Sequence, residues 1–315
     1  VRPAQGSSAA VAPSPSASAA ATNSLKATQT APPGTPGTFR VRRLQLTFTE
    51  PAHPGPSGES LGPRTLIIQL WYPAGSARGR WPLPLILFAP GFQQCANPYG
   101  DLLSAWASAG YVVAGVNFPH SDCKVATATE DDMINQPGDM SYALTRLLAL
   151  SQRAGDAVSG LIDRREVAAA GQSDGGDTVA ALAANTCCED RRLTAVAVLS
   201  GAEWAPMPGR YFAGTVPPML FVQGSADTVN PPWTSVQLYE GDSGAARYYL
   251  DLFGADHTGP YWGTNKTEQI VVRVTVAFFD RYVLGRKTAL AVMTRDGNVT
   301  GSAAMVSAGA PVPSG

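Results

Sequence analysis

The sequence has no run of basic residues. Its 23 Lys and Arg nearly balance 24 Asp and Glu, leaving a formal net charge of −1. Without a positive face there is no electrostatic grip on phosphate, so no nucleic-acid partner is expected. Long apolar runs are also missing, and none reaches the ~18 residues that span a bilayer. Histidine is scarce, occurring only as His53, His120 and His257. Neither Cys-x-x-Cys nor His-Glu-x-x-His spacing occurs, so a resident metal is poorly supplied with ligands, and no cofactor is expected. Large apolar side chains are nearly absent from residues 1–38, where Ala, Ser, Pro, Thr and Gly fill 30 positions. Such a stretch cannot bury enough surface to offset the entropy of ordering it, and it reads as a disordered linker. Its composition suits a spacer behind a removed export or anchor signal, so secretion or residence in the cell envelope is expected. Residues 290–315 thin out again to small side chains and read as a C-terminal tail.

What remains, residues 39–289, has the size of one large α/β domain. The chain's 44% hydrophobic content is enough for a real core. β-Branched and aromatic runs predict strands over 39–48, 65–72, 83–89, 111–118, 167–171, 193–199, 218–222 and 247–252. Apolar residues at helical spacing predict helices over 98–109, 139–151, 175–184, 232–239 and 268–284. The first two strands adjoin with no helix between them and should pair antiparallel. The later alternation predicts right-handed crossovers and a mainly parallel sheet of about eight strands, covered by helices on both faces. Ligands on such sheets bind at the carboxyl ends of the strands. Cys95 and Cys123 each follow a strand at that end and are favoured as a disulfide, consistent with an oxidising compartment. The neighbours Cys187 and Cys188 leave two options, a vicinal bridge or free thiols.

One predicted strand runs into Gly171-Gln172-Ser173-Asp174-Gly175 and then into an Ala-rich helix. This is Gly-x-Ser-x-Gly in strand–turn–helix context, which raises a serine oxygen above the sheet edge. A serine hydroxyl is a weak nucleophile and needs a base within hydrogen-bond reach. His257 follows the 247–252 strand and is the candidate base, with His120 the competitor. The base needs a carboxylate to hold its tautomer. Asp227 follows another strand, 54 residues after Ser173 and 30 before His257. Asp256, beside His257, reads as a turn residue. Acyl transfer also needs two backbone donors for the oxyanion. Asp174 N–H is one candidate, and Phe92 N–H, in the loop after the 83–89 strand, is the other.

Together these residues resemble the α/β-hydrolase superfamily. Leu70-Trp71-Tyr72-Pro73-Ala74 is similar to the platelet-activating-factor-acetylhydrolase-like, chlorophyllase-like and dienelactone-hydrolase-like branch. Cutinase-like polyester hydrolases share the layout more distantly, with an aromatic at Phe92 and a Trp at Trp204. Those enzymes carry an aromatic or His before the nucleophile and Met after it, where this chain has Gln172 and Asp174. The resemblance implies an α/β-hydrolase fold and a serine esterase. Only 18 or so residues separate two of the strands, too few for a large lid. An open, shallow cleft lined by Phe92, Trp204, Tyr261 and Trp262, with Gln172 and His120 beside it, is therefore expected to bind substrate. The expected activity is hydrolysis of small or short-chain esters by a monomer. The alternatives are a polyester or lipid-ester hydrolase, or a non-catalytic binding protein on the same scaffold.

Overall fold

The computed structural model describes residues 20–22, 37–74, 82–308, 310 and 312. Most of the expected linker, 1–19 and 23–36, lies outside the described residues.

The chain opens on β1 (Ala20–Thr22), β2 (Val41–Glu50), a two-stranded hairpin of β3 (His53–Pro54) and β4 (Ser60–Leu61), β5 (Arg64–Pro73) and β6 (Leu83–Ala89). Then come α1 (Gly100–Ser108), β7 (Val112–Asn117), α2 (Gln136–Gln152), β8 (Ile162–Gln172), α3 (Asp174–Ala184), β9 (Ala195–Leu199), β10 (Met219–Gly224) and α4 (Pro232–Gly241). β11 (Arg247–Leu252), α5 (Lys266–Tyr282), α6 (Ala289–Gly297) and β12 (Ala303–Ser307) complete it. Ten strands form one sheet in the order β1-β2-β5-β7-β6-β8-β9-β10-β11-β12. The six from β7 to β11 in that order run parallel, and the strands outside them pair antiparallel. This is the expected α/β-hydrolase layout.

Strand alternation splits the core into two layers. Leu83, Leu85, Leu87 and Ala89 of β6 face α2, α3 and α4, whereas Ile86 and Phe88 face α1, α5 and α6. Every residue of β6 and β9 is buried, as a sheet covered on both faces requires.

All eight expected strands are present, as are the five expected helices. The sheet gains β1 and β12 at its edges, inside segments read as linker and tail. An edge strand needs only one partner and little hydrophobic pattern of its own: β12 buries only Ala303 and Val306. Helix α6 also falls in the expected tail. Its fully buried residues are Ala289, Met293 and Gly297, a stripe one residue wide that periodicity reads weakly. Residues 200–218 hold turns and an isolated bridge at Tyr211, with no helix to serve as a lid.

β6 lies between β7 and β8, so successive crossovers leave it in opposite directions. Such a switch point opens a crevice at the carboxyl ends. Ala89 of β6 pairs with Gly171 of β8, so the loops that follow them emerge side by side.

Candidate active site

Ser173 caps α3 with φ 58° and ψ −128°, a backbone conformation that side chains rarely adopt. Two glycines make the turn possible. A Cβ on Gly171 would collide with the Gly175 carbonyl, and one on Gly175 with the Ala89 carbonyl. Ser173 N–H donates to Leu199 O at 2.9 Å, tying the turn to β9.

Asp227 follows β10 and His257 follows β11. Asp227 Oδ2 lies 2.7 Å from His257 Nδ1, and His257 Nε2 lies 2.8 Å from Ser173 Oγ. The other Asp227 oxygen accepts the N–H groups of Val229 and Asn230 at 2.9 and 3.0 Å. Burial works to raise the Asp227 pKa. The hydrogen bond and charge of His257, with the two backbone donors, outweigh it and hold the carboxyl below its ordinary range. An ionised Asp227 keeps the Nδ1 proton in place, which leaves the Nε2 lone pair facing Ser173.

The loop after β6 is pressed against this turn. A Cβ on Gly91 would stand 3.1 Å from Ser173 Cβ and 3.0 Å from Gln172 Oε1. Phe92, the next residue, is half-buried. Cys95 is bonded to Cys123, and Gln93 N–H donates to Ser121 O at 2.8 Å, so the loops after β6 and β7 brace each other. Cys187 and Cys188 are bonded to one another.

Asp174 starts α3 beside Ser173. Its Oδ2 is buried without a hydrogen-bond partner. Burial chiefly, and the charge of Glu130, push its pKa up to about 7, against its own backbone N–H and His257.

The remaining sequence-predicted residues divide. Trp204 is half-buried and lines an open cleft of about 550 Å³ with Glu203, Met207, Tyr211 and Trp233. Trp262 is half-buried and meets the edge of the Tyr99 ring at 5.9 Å. Tyr261 does not line the cleft. It is fully buried, with its hydroxyl 2.9 Å from Ser200 Oγ and donating to Val222 O, because the loop after β11 folds it under the sheet edge. Gln172 is also turned inward, at 2% exposure, toward Tyr99 and His257. His120 is exposed and takes no part in the Ser173–His257–Asp227 chain. Asp256 accepts the N–H groups of Thr258 and Gly259, as a turn residue does.

Two residues at the site carried no recognisable sequence signal. Gln223, at the end of β10, donates to Asp227 Oδ2 at 3.1 Å. Tyr99, just ahead of α1, receives the Gly91 N–H and donates to Gln172. Neither belongs to a motif, because each acts through contacts 4 to 73 residues away along the chain.

A family model described as PETase, PET hydrolase-like, matches residues 67–298, well over half of the chain. The chain belongs to the PET hydrolase-like family. No curated protein matches it. Membership in the PET hydrolase-like family makes the protein a hydrolase. The match begins inside β5 and ends just past α6, so it takes in every loop of the site, and helix α6 beyond the expected boundary at 289.

Proposed function

We propose that the protein is a serine carboxylic-ester hydrolase that cleaves polyester chains through an acyl-enzyme. The carrying observation is the unbroken hydrogen-bonded chain Ser173–His257–Asp227, at 2.8 and 2.7 Å, on the rim of the sheet. Ser173 Oγ attacks the ester carbonyl while its proton passes to His257 Nε2, and Asp227 stabilises the imidazolium. The N–H groups of Phe92 and Asp174 hold the tetrahedral oxyanion. His257 returns the proton to the leaving alkoxide. Water, deprotonated by His257, then attacks the acyl-enzyme and releases the acid with Ser173 restored.

Family membership supports a polyester substrate. So does the helix-free segment 200–218 after β9, since a polymer segment has no free end to thread beneath a lid. The Cys95–Cys123 bond supports export into an oxidising space. A second reading, small soluble esters, rests on Asp174, the first residue of α3, which stands where the polyester hydrolases that this chain resembles carry Met.

Ser173→Ala should lower cleavage of p-nitrophenyl butyrate and release of soluble acid from a polyester film by at least about 10³-fold. Full activity in that variant would end the mechanism. Wild-type hydrolysis of the soluble ester with none of the film would select the second reading.

A further inference from the structure

The hydroxyl of Tyr99 accepts the Gly91 N–H at 3.2 Å, and Tyr99 donates its own proton to Gln172 Oε1 at 2.7 Å. This fixes the amide, because an oxygen end facing Tyr99 turns the NH2 end toward His257. That NH2 stands 3.0 Å from His257 O and 3.2 Å from His257 Nε2. A continuous path thus runs from the loop that carries Phe92 to the ring that faces Ser173.

We propose that Tyr99 and Gln172 are positioning residues, a two-link relay through which the seating of the oxyanion loop sets the alignment of His257 on Ser173. The proposal rests on the esterase reading above and adds a coupling between its two halves. The donors that would receive the oxyanion and the base that would receive the proton are otherwise held by separate loops. The relay makes them one unit.

The setting suits this work. Tyr99 is fully buried and Gln172 is 2% exposed, so water does not compete for the bond between them. Burial pushes the Tyr99 pKa up to about 12, so it stays a donor across the working range. Its ring is wedged between Phe88 at 4.8 Å and Trp262 at 5.9 Å. The Gln172 backbone is fixed by its pairing with Leu199 across β8 and β9. With Nδ1 engaged by Asp227, the ring has one free lone pair, on Nε2, and two donors converge on it: Ser173 Oγ and the Gln172 amide. The amide also grips the His257 carbonyl, so ring and backbone are held from the same point.

The test is a double-mutant cycle with Tyr99→Phe and Gln172→Leu on a soluble p-nitrophenyl ester. Each single variant should lower kcat about tenfold, the loss of one buried hydrogen bond, with KM within about twofold. The double variant should lose no more than the worse single variant, because breaking either link already breaks the relay. Losses that multiply to about a hundredfold, a change in KM alone, or full kcat in either single variant would overturn the proposal. Tyr99→Phe removes one oxygen and keeps the ring, so it decides alone if Gln172→Leu does not fold. Ser173→Ala separates the two levels. If it stays active, the esterase reading fails; if it is dead while both relay variants match wild type, only the relay fails.

Discussion

Asp174 combines a place in the site with an unusual ionisation. Burial chiefly, and then the charge of Glu130, disfavour its ionised form, while its own backbone N–H and His257 work the other way. Its folded pKa, about 7, stands above the ordinary 3.8. Between those values the folded protein keeps a proton that the unfolded chain releases, so stability falls as pH rises through that window and levels off above it. Asp174→Asn removes the effect. Its melting temperature should equal that of the wild type near pH 4 and exceed it at pH 8. A constant difference across that range, followed by differential scanning fluorimetry, would place the raised ionisation elsewhere. Ser173 illustrates the complementary point. Its positive φ costs of the order of 1–3 kcal/mol, and it persists because two glycines and the Leu199 carbonyl leave the turn no other shape.

Among the elements, β5 is joined to α2 and to the 3-10 turn that precedes it (Glu130–Asn135) by a buried ion cluster that no motif announces. Arg64 donates to both oxygens of Asp132 at 2.8 Å and to those of Asp139 at 2.7 and 2.6 Å. All three side chains are nearly inaccessible, so the pairs are not screened by solvent. The net worth of such a cluster is small, but removing one sign leaves charges stranded. Arg64→Leu should cost about 3–5 kcal/mol in urea denaturation. Adding Asp132→Asn and Asp139→Asn should recover part of that loss. If the single variant were as stable as wild type, Arg64 would not be the clamp between this strand and this helix. The strands and helices around the clamp were legible from period and composition, because each is long enough to express its own face. Helix α6 and strand β12 were not, since each borrows its order from a neighbour, α5 and β11 respectively.

For the molecule as a whole, the decisive feature is that loops from β6, β7, β8, β10 and β11 meet at one edge of the sheet. The Cys95–Cys123 bond closes a loop across two of them, 28 residues apart. Chain-entropy arguments give such a crosslink about 3–4 kcal/mol of stability. The Cys95→Ala, Cys123→Ala double variant should therefore unfold at clearly lower urea, and its esterase activity should decay faster on warming. An unchanged unfolding midpoint would mean that the Gln93–Ser121 contact braces these loops by itself.

The sequence by itself determined the order of eight strands and five helices, the doubly covered sheet, the serine turn and the three side chains that meet there. These follow from local causes: hydrophobic period, glycines where backbone must touch backbone, and polar residues just past strand ends. Only the tertiary structure decided that Tyr261 turns into the core, that His120 stays outside, and that Gln172 reaches inward to join Tyr99 to His257. The direction of a side chain at a strand end is set by what packs against it, and those neighbours come from distant parts of the chain. Spacing along the chain carries no record of them.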